Sequence, residues 1–203
     1  MKVIFVRHGQ TGENVVHRHQ PNNTPLSIEG RRQAVVAGER IVAINPTHVV
    51  TSPLVRSLQT ASLIANACDI IPSIDYSLVE LERPRSMTGH GHMSSRSLFF
   101  YLWWYSGLSN TGESYSMIRK RIALARHNLE RLPADATVVV VSHSVFISLF
   151  VAHVCRPHML GPLGIVRSFM MLKSMPNTGM TEYEVSVGEG LCGWTRTNDL
   201  NLS

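Results

Sequence analysis

The chain has 203 residues, 44% of them apolar and 16% charged. That is enough for one domain with a full hydrophobic core, and it excludes disorder along the whole length. Lys and Arg outnumber Asp and Glu by 19 to 14, a net charge of +5, but no run of like charge makes a stripe, so the excess reads as a solvated surface, and neither nucleic acid nor membrane is expected as a partner.

In chain order, Val3–Val6 reads as a short buried strand ending at Arg7, His8 and Gly9. Ser27 to Ile44 has apolar residues at helical spacing, with Ser27 as its cap and Asn45-Pro46 as its stop. His48–Thr51 resumes strand character. A second helix starts at Pro53, and a third strand is expected around Ser73–Tyr76. Residues 83–112 are rich in Pro, Gly, Ser and aromatics and read as a cap insertion, with the aromatics of Leu98–Tyr105 packed over a pocket.

A long amphipathic helix follows through Ile118, Ile122, Ala125, Leu129 and Leu132. The four valines Val138–Val141 suit a strand covered on both faces, and Ser142-His143 closes it as Arg7-His8 closes the first. Phe146–Cys155 reads as a helix, Ile165–Leu172 and Thr181–Val187 as two more strands, and residues 188–203 as a loose tail without a role. The order predicts a three-layer α/β fold in one domain over residues 1–187, with a mostly parallel central sheet, helices on both faces and a small cap at about 83–112.

Cys68, Cys155 and Cys192 are widely spaced and odd in number, without a CxxC pair. They suggest neither a disulfide framework nor a zinc site, and a reducing cytoplasm fits them. The four-residue apolar run after Lys2 is too short for a signal segment, and nothing later is long enough for a membrane span. The expected state is a soluble monomer or homodimer.

In open α/β sheets ligands bind at the carboxyl ends of the strands, so His8 and His143 can meet in one pocket. Arg56, on the first turn of its helix, can face the same place. Arg7 and Arg56 offer planar forks to phosphate oxygens, and the Gly9–Asn14 turn adds backbone N–H groups and the Asn14 amide. The implied ligand is a phosphoryl group. One histidine is then free to attack, with Gly9 leaving room for the substrate. A carboxyl must protonate the leaving alkoxide and then activate water, and Glu80 and Glu82 are the candidates. His90 and His92 lack a third ligand for a metal, so no metal and no cofactor are expected. His17 and His19 read as solvated loop residues near the mouth.

Several blocks carry a resemblance. Arg7-His8-Gly9-Gln10-Thr11 with Asn14 is similar to the RHG signature of the histidine phosphatase superfamily, the phosphoglycerate-mutase-like enzymes. Thr24-Pro25-Leu26-Ser27 through Gln33-Ala34, Ser52-Pro53-Leu54-x-Arg56 with Gln59-Thr60-Ala61, Leu78-Val79-Glu80, Gly112-Glu113-Ser114 and Val141-Ser142-His143 resemble its further blocks in the family's order. The glycine often found after the second histidine is Ser144 here, and Leu81-Glu82-Arg83-Pro84 stands where better-known members have a glycine-rich stretch.

The resemblance implies that His8 is the phosphorylated nucleophile, that Arg7, Arg56 and His143 grip the phosphoryl oxygens, and that Glu80 is the proton donor. Gln10, Thr11, Asn14 and Ser144 are expected to line the substrate. The expected activity is a metal-independent phosphomonoesterase acting on a small phosphorylated metabolite. Mutase-type phosphoryl transfer and a non-catalytic module that binds a phosphorylated ligand are the alternatives.

Overall fold

In a computed structural model the strands are β1 (Lys2–Arg7), β2 (His48–Thr51), β3 (Ser73–Ile74), β4 (Thr137–Ser142), β5 (Met180–Val185) and β6 (Trp194–Leu200). The helices are α1 (Gly12–Val15), α2 (Ile28–Val42), α3 (Val55–Cys68), α4 (Ser95–Tyr105), α5 (Tyr115–Glu130) and α6 (Ser144–His153). The structure describes residues 1–92, 94–107, 111–156, 158, 160–161, 164–165, 168, 170–171, 175–186 and 192–200, without the side chains of 198–200.

The six strands form one sheet in the order β3-β2-β4-β1-β5-β6. The first four are mutually parallel, whereas β5 and β6 run antiparallel to their neighbours. The mixed α/β architecture is thus the expected one. Side chains alternate across a strand, so the valine run divides: Val138 and Val140 join one core with Phe5, Ile118 and Phe146, while Val139 and Val141 join the other with Ile4, Ala37 and Ile64. Burying each such side chain contributes about 1.5–3 kcal/mol, which is why the central strand tolerates no polar residue on either face.

Register decides where the chemistry goes. Arg7 of β1 pairs with Ser142 of β4, so the residues after them, His8 and His143, leave the sheet at the same level. The His8 N–H donates to the Ser142 carbonyl at 3.0 Å, and the Ser52 N–H, at the end of β2, donates to Val141 at 3.0 Å. Three loops therefore open on one edge.

Several expectations are corrected. The described residues within 165–172 are helical, with the Ile165 N–H bonded to the Gly161 carbonyl at 3.0 Å; a short apolar run does not by itself separate a strand from a buried helix. Residues 194–200, taken as loose, form β6 on the edge of the sheet. Trp194 anchors it, buried against Phe150 at 5.2 Å between ring centroids and donating its Nε1–H to Glu130 at 2.7 Å. Cys155 and Cys192 form a disulfide, with Cα atoms 5.3 Å apart. The cytoplasmic location loses the support it drew from unpaired cysteines. Among the described residues no helix is long and apolar enough to cross a membrane.

The cap region also differs in detail. Trp104 of α4 is buried and its Nε1–H donates to the Glu113 carbonyl at 2.7 Å, whereas Leu98, Phe99, Leu102 and Trp103 face solvent rather than a pocket.

Candidate active site

His8 is 2% exposed, and its Nδ1 lies 2.7 Å from the carbonyl oxygen of Gly9. A carbonyl only accepts, so Nδ1 carries the proton and Nε2 keeps its lone pair. Burial first, and then the charges of Arg56 and Arg7, hold the imidazole well below its ordinary pKa. The ring is neutral at pH 7.

His143 is fully buried, with its ring centroid 5.2 Å from that of His8. Its Nε2 lies 2.8 Å from the Ser52 hydroxyl and 3.3 Å from that of Ser57. The Ser52 oxygen already accepts the Leu54 N–H at 3.4 Å; its proton directed at Nε2 leaves Nδ1 as a donor, and Nδ1 is buried without a partner among the described residues. Burial and then Arg56 and His8 hold this imidazole neutral too.

Arg56 is 2% exposed, and its pKa is pushed down to about 10, chiefly by burial. It remains a cation at neutral pH. One of its Nη groups donates to the Pro21 carbonyl at 3.2 Å, and an Nη of Arg7 donates to the Met175 carbonyl at 2.6 Å. In both side chains Nε is buried without a partner among the described residues. Two cations and a histidine donor with unmet hydrogen-bonding capacity make a site for a multiply charged oxyanion.

Glu80 supplies the carboxyl. Its Oε1 accepts the N–H groups of Leu81 at 2.9 Å and Phe146 at 3.1 Å, the latter in the first turn of α6, directly after His143. The Glu80 charge reaches both Arg7 and Arg56. Glu82 is exposed and points to solvent. Leu81 between the two carboxyls is 2% exposed, and Glu80 is half-buried.

The other expected residues divide. The Asn14 amide oxygen accepts from the Thr11 N–H at 3.3 Å and from Asn177 Nδ2 at 3.2 Å, which leaves its own N–H groups for a ligand. Ser144 opens α6 and is half-buried. Gln10 and Thr11 serve the scaffold instead: Gln10 Oε1 accepts from the Ser27 hydroxyl at 3.0 Å, and the fully buried Thr11 caps α1 and donates to Gln20 at 2.8 Å. Gly9 was expected to clear space for substrate, but a Cβ there would lie 2.4 Å from the Gly30 carbonyl oxygen. The space belongs to the protein.

His19 is not solvated. It is 5% exposed, its Nε2 sits 3.0 Å from the Ser97 hydroxyl, and its ring lies 4.7 Å from that of His92. Backbone bonds between residues 17–19 and 89–92 zip this wall together.

Sequence reading passed over the supports. Asn177 donates to the His8 carbonyl at 3.2 Å and bridges to Asn14. The Thr60 hydroxyl, within the block quoted for resemblance, accepts the Gly9 N–H at 3.0 Å. Arg121 holds the backbone behind Glu80: it pairs with Glu113 through Nε at 2.7 Å and donates to the carbonyls of Ser77, Val79 and Glu80. Asn177 and Arg121 had no signal in spacing, because their partners, the His8 carbonyl and Asn14 for one and Glu113 with three carbonyls for the other, lie far from them in the chain or on its backbone.

The profile of the histidine phosphatase superfamily (branch 1) matches residues 3–189 of the chain. A protein described as probable phosphoglycerate mutase GpmB of Klebsiella pneumoniae is 32% identical over 160 residues, covering 75% of this chain and 74% of that one. Among solved structures, a mutant phosphoserine phosphatase of Entamoeba histolytica in complex with phosphoserine is 25% identical with a TM-score of 0.75, covering 98% of this chain and 96% of that one. YhfR of Bacillus stearothermophilus shares the fold at a TM-score of 0.79 and 24% identity, covering 100% of this chain and 98% of that one.

Proposed function

The chain belongs to the histidine phosphatase superfamily, and on that premise we propose that it is a metal-independent phosphatase of a small phosphorylated metabolite, working through a phosphohistidine on His8. The observation that carries this reading is the 2.7 Å contact of His8 Nδ1 with the Gly9 carbonyl, which leaves Nε2 unprotonated and next to Arg7, Arg56 and His143.

The steps follow from the side chains. The phosphoryl dianion docks on Arg7 and Arg56, with His143 Nδ1–H and the Asn14 amide as further donors. His8 Nε2 attacks phosphorus in line; the P–O bond to the alcohol breaks, and the leaving oxygen takes a proton from Glu80. Water then attacks the phosphohistidine and gives its proton to the Glu80 carboxylate. Inorganic phosphate leaves, and His8 is restored.

The test is a screen of phosphomonoesters with and without chelator, using wild type and the Glu80→Gln and Glu82→Gln variants. The reading predicts chelator-resistant hydrolysis, a loss of about 100-fold or more in Glu80→Gln, and little change in Glu82→Gln. Loss of activity on chelation sinks it. The mutase reading draws on the 32% identical relative described as a probable phosphoglycerate mutase; it predicts phosphoryl return to bound substrate, with isomerised ester rather than free phosphate as the main product.

A further inference from the structure

Residues 175–179, which lead into β5, clasp the carboxyl end of β1. The Met175 carbonyl accepts an Nη of Arg7 at 2.6 Å, the Gly179 carbonyl accepts the Arg7 N–H at 3.0 Å, and the Thr178 N–H donates to the Arg7 carbonyl at 3.1 Å. Asn177 reaches one residue further: its Nδ2 donates to the His8 carbonyl at 3.2 Å and to Asn14 Oδ1 at 3.2 Å. The clasp is held against local strain. Thr178 has a φ of 56°, in the left-handed region where a β-branched residue is a steric outlier, and such a conformation persists only where its surroundings impose it. Here the turn is closed by the Gly179 N–H on the Pro176 carbonyl at 3.0 Å and by the Thr178 hydroxyl on the Asn177 carbonyl at 2.7 Å. Its product is a side-chain amide aimed at the backbone of the attacking residue.

Hydrogen-bond direction along this chain of groups can run only one way. The His8 carbonyl accepts and cannot donate, so the Asn177 atom that faces it is the amide nitrogen. The Asn14 atom that faces this nitrogen, and also the Thr11 N–H at 3.3 Å, is then the amide oxygen. Turning the Asn14 amide over would set its NH2 against two donors. With Asn177 removed, the longer Thr11 contact alone resists that flip, and a flipped amide would offer an oxygen to a phosphoryl oxyanion in place of N–H groups.

We propose that Asn177 is a positioning residue: it sets the Asn14 amide so that its N–H groups, and not its oxygen, serve the phosphoryl group, and it takes that setting from the backbone of His8. This rests on the phosphatase reading for what occupies the pocket. Asn177 touches no reacting atom, and its effect passes through Asn14. The strained turn at Thr178 is the part of the fold that delivers it, which ties the lead-in of an antiparallel strand to the chemistry at the end of a parallel one.

A double-mutant cycle on anion binding tests the proposal, with inorganic phosphate as the probe and calorimetry as the readout, so that no turnover is needed. Asn177→Ala and Asn14→Ala are each expected to weaken phosphate binding about tenfold, and the double variant to bind no more than about twofold more weakly than Asn14→Ala alone. Asn177→Ser, which keeps a small polar residue in the turn but cannot span both partners, goes through the same cycle, and thermal melts identify the variants that are folded. A merely structural Asn177 would give the same loss in both backgrounds; that additive result overturns the proposal, as does unchanged phosphate affinity in a folded Asn177 variant. Coupling in a protein that hydrolyses no phosphomonoester upholds the role of Asn177 and sinks the phosphatase reading alone, whereas a wild type that binds no phosphate overturns both.

Discussion

The carboxyl edge of the parallel strands and the outer parts of the molecule, the cap and the C-terminal edge of the sheet, are built on different principles. At the strand ends the candidate side chains are buried or half-buried, and four are held by backbone groups: His8 by the Gly9 carbonyl, Arg7 by Met175, Arg56 by Pro21, Glu80 by the N–H groups of Leu81 and Phe146. In the cap, Tyr101 and His19 touch other side chains, and Leu98, Phe99, Leu102 and Trp103 stand in solvent. The pocket proposed for the phosphoryl group is preorganised by the sheet, whereas the surface around it has fewer such constraints.

The sharpest way to break this contrast is at its centre. Replacing His8 by Ala should lower kcat by more than about 1,000-fold while leaving the fold intact, because it removes the attacking nitrogen and only one buried ring; steady-state phosphate release with a circular dichroism control reads it. Next is the packing beneath the loop. A Cβ at Gly30 would lie 2.0 Å from the Gln10 carbonyl oxygen, so Gly30→Ala should destabilise the protein by about 3 kcal/mol in chemical denaturation and lower activity with it. The outer edge should behave otherwise. Cys192→Ser opens the disulfide to Cys155 and should cost about 2 kcal/mol of stability, with kcat per folded molecule unchanged, since β6 lies at the sheet edge away from the site.

The last test is pH. His8 and His143 are held neutral when folded, well below their ordinary value of 6.5. In the unfolded chain they take up protons as pH falls through 6.5, while in the folded chain they do not. The unfolded state then binds more protons, so this part of the stability is present in full above that pH and declines below it, by up to about 1.4 kcal/mol per pH unit for each histidine. Denaturant melts between pH 7 and pH 5 should show the decline, and His143→Gln should flatten it.

Legibility in the sequence follows the same division. The strands β1 and β4 were readable because their apolar runs are continuous in β-branched and aromatic residues, and the polar residues that end each run mark where the sheet opens. His8, His143 and Arg56 converge because parallel register carries equivalent strand ends to one level. Beyond the sheet, the signals are degenerate. The described residues within 165–172 are helical where a strand was expected, and 194–200 are a strand where a loose tail was, since helix or edge strand there depends on partners distant in the chain. His19 looked solvated because nothing local shows that residues 89–92 will cover it. Gly9 was read as room for the substrate, whereas the atom that approaches it is the Gly30 carbonyl oxygen.

The central claim is that His8 carries the phosphoryl group. With p-nitrophenyl phosphate, whose leaving group hardly needs an acid, Glu80→Gln should form the phosphoenzyme fast and hydrolyse it slowly, so rapid quenching should trap it. The account predicts close to one acid-labile, alkali-stable phosphate per chain, mapped to His8 by mass spectrometry and absent in the His8→Ala, Glu80→Gln double variant. Turnover of this ester with no trapped phosphate in the single variant, or phosphate retained in the double variant, would contradict it.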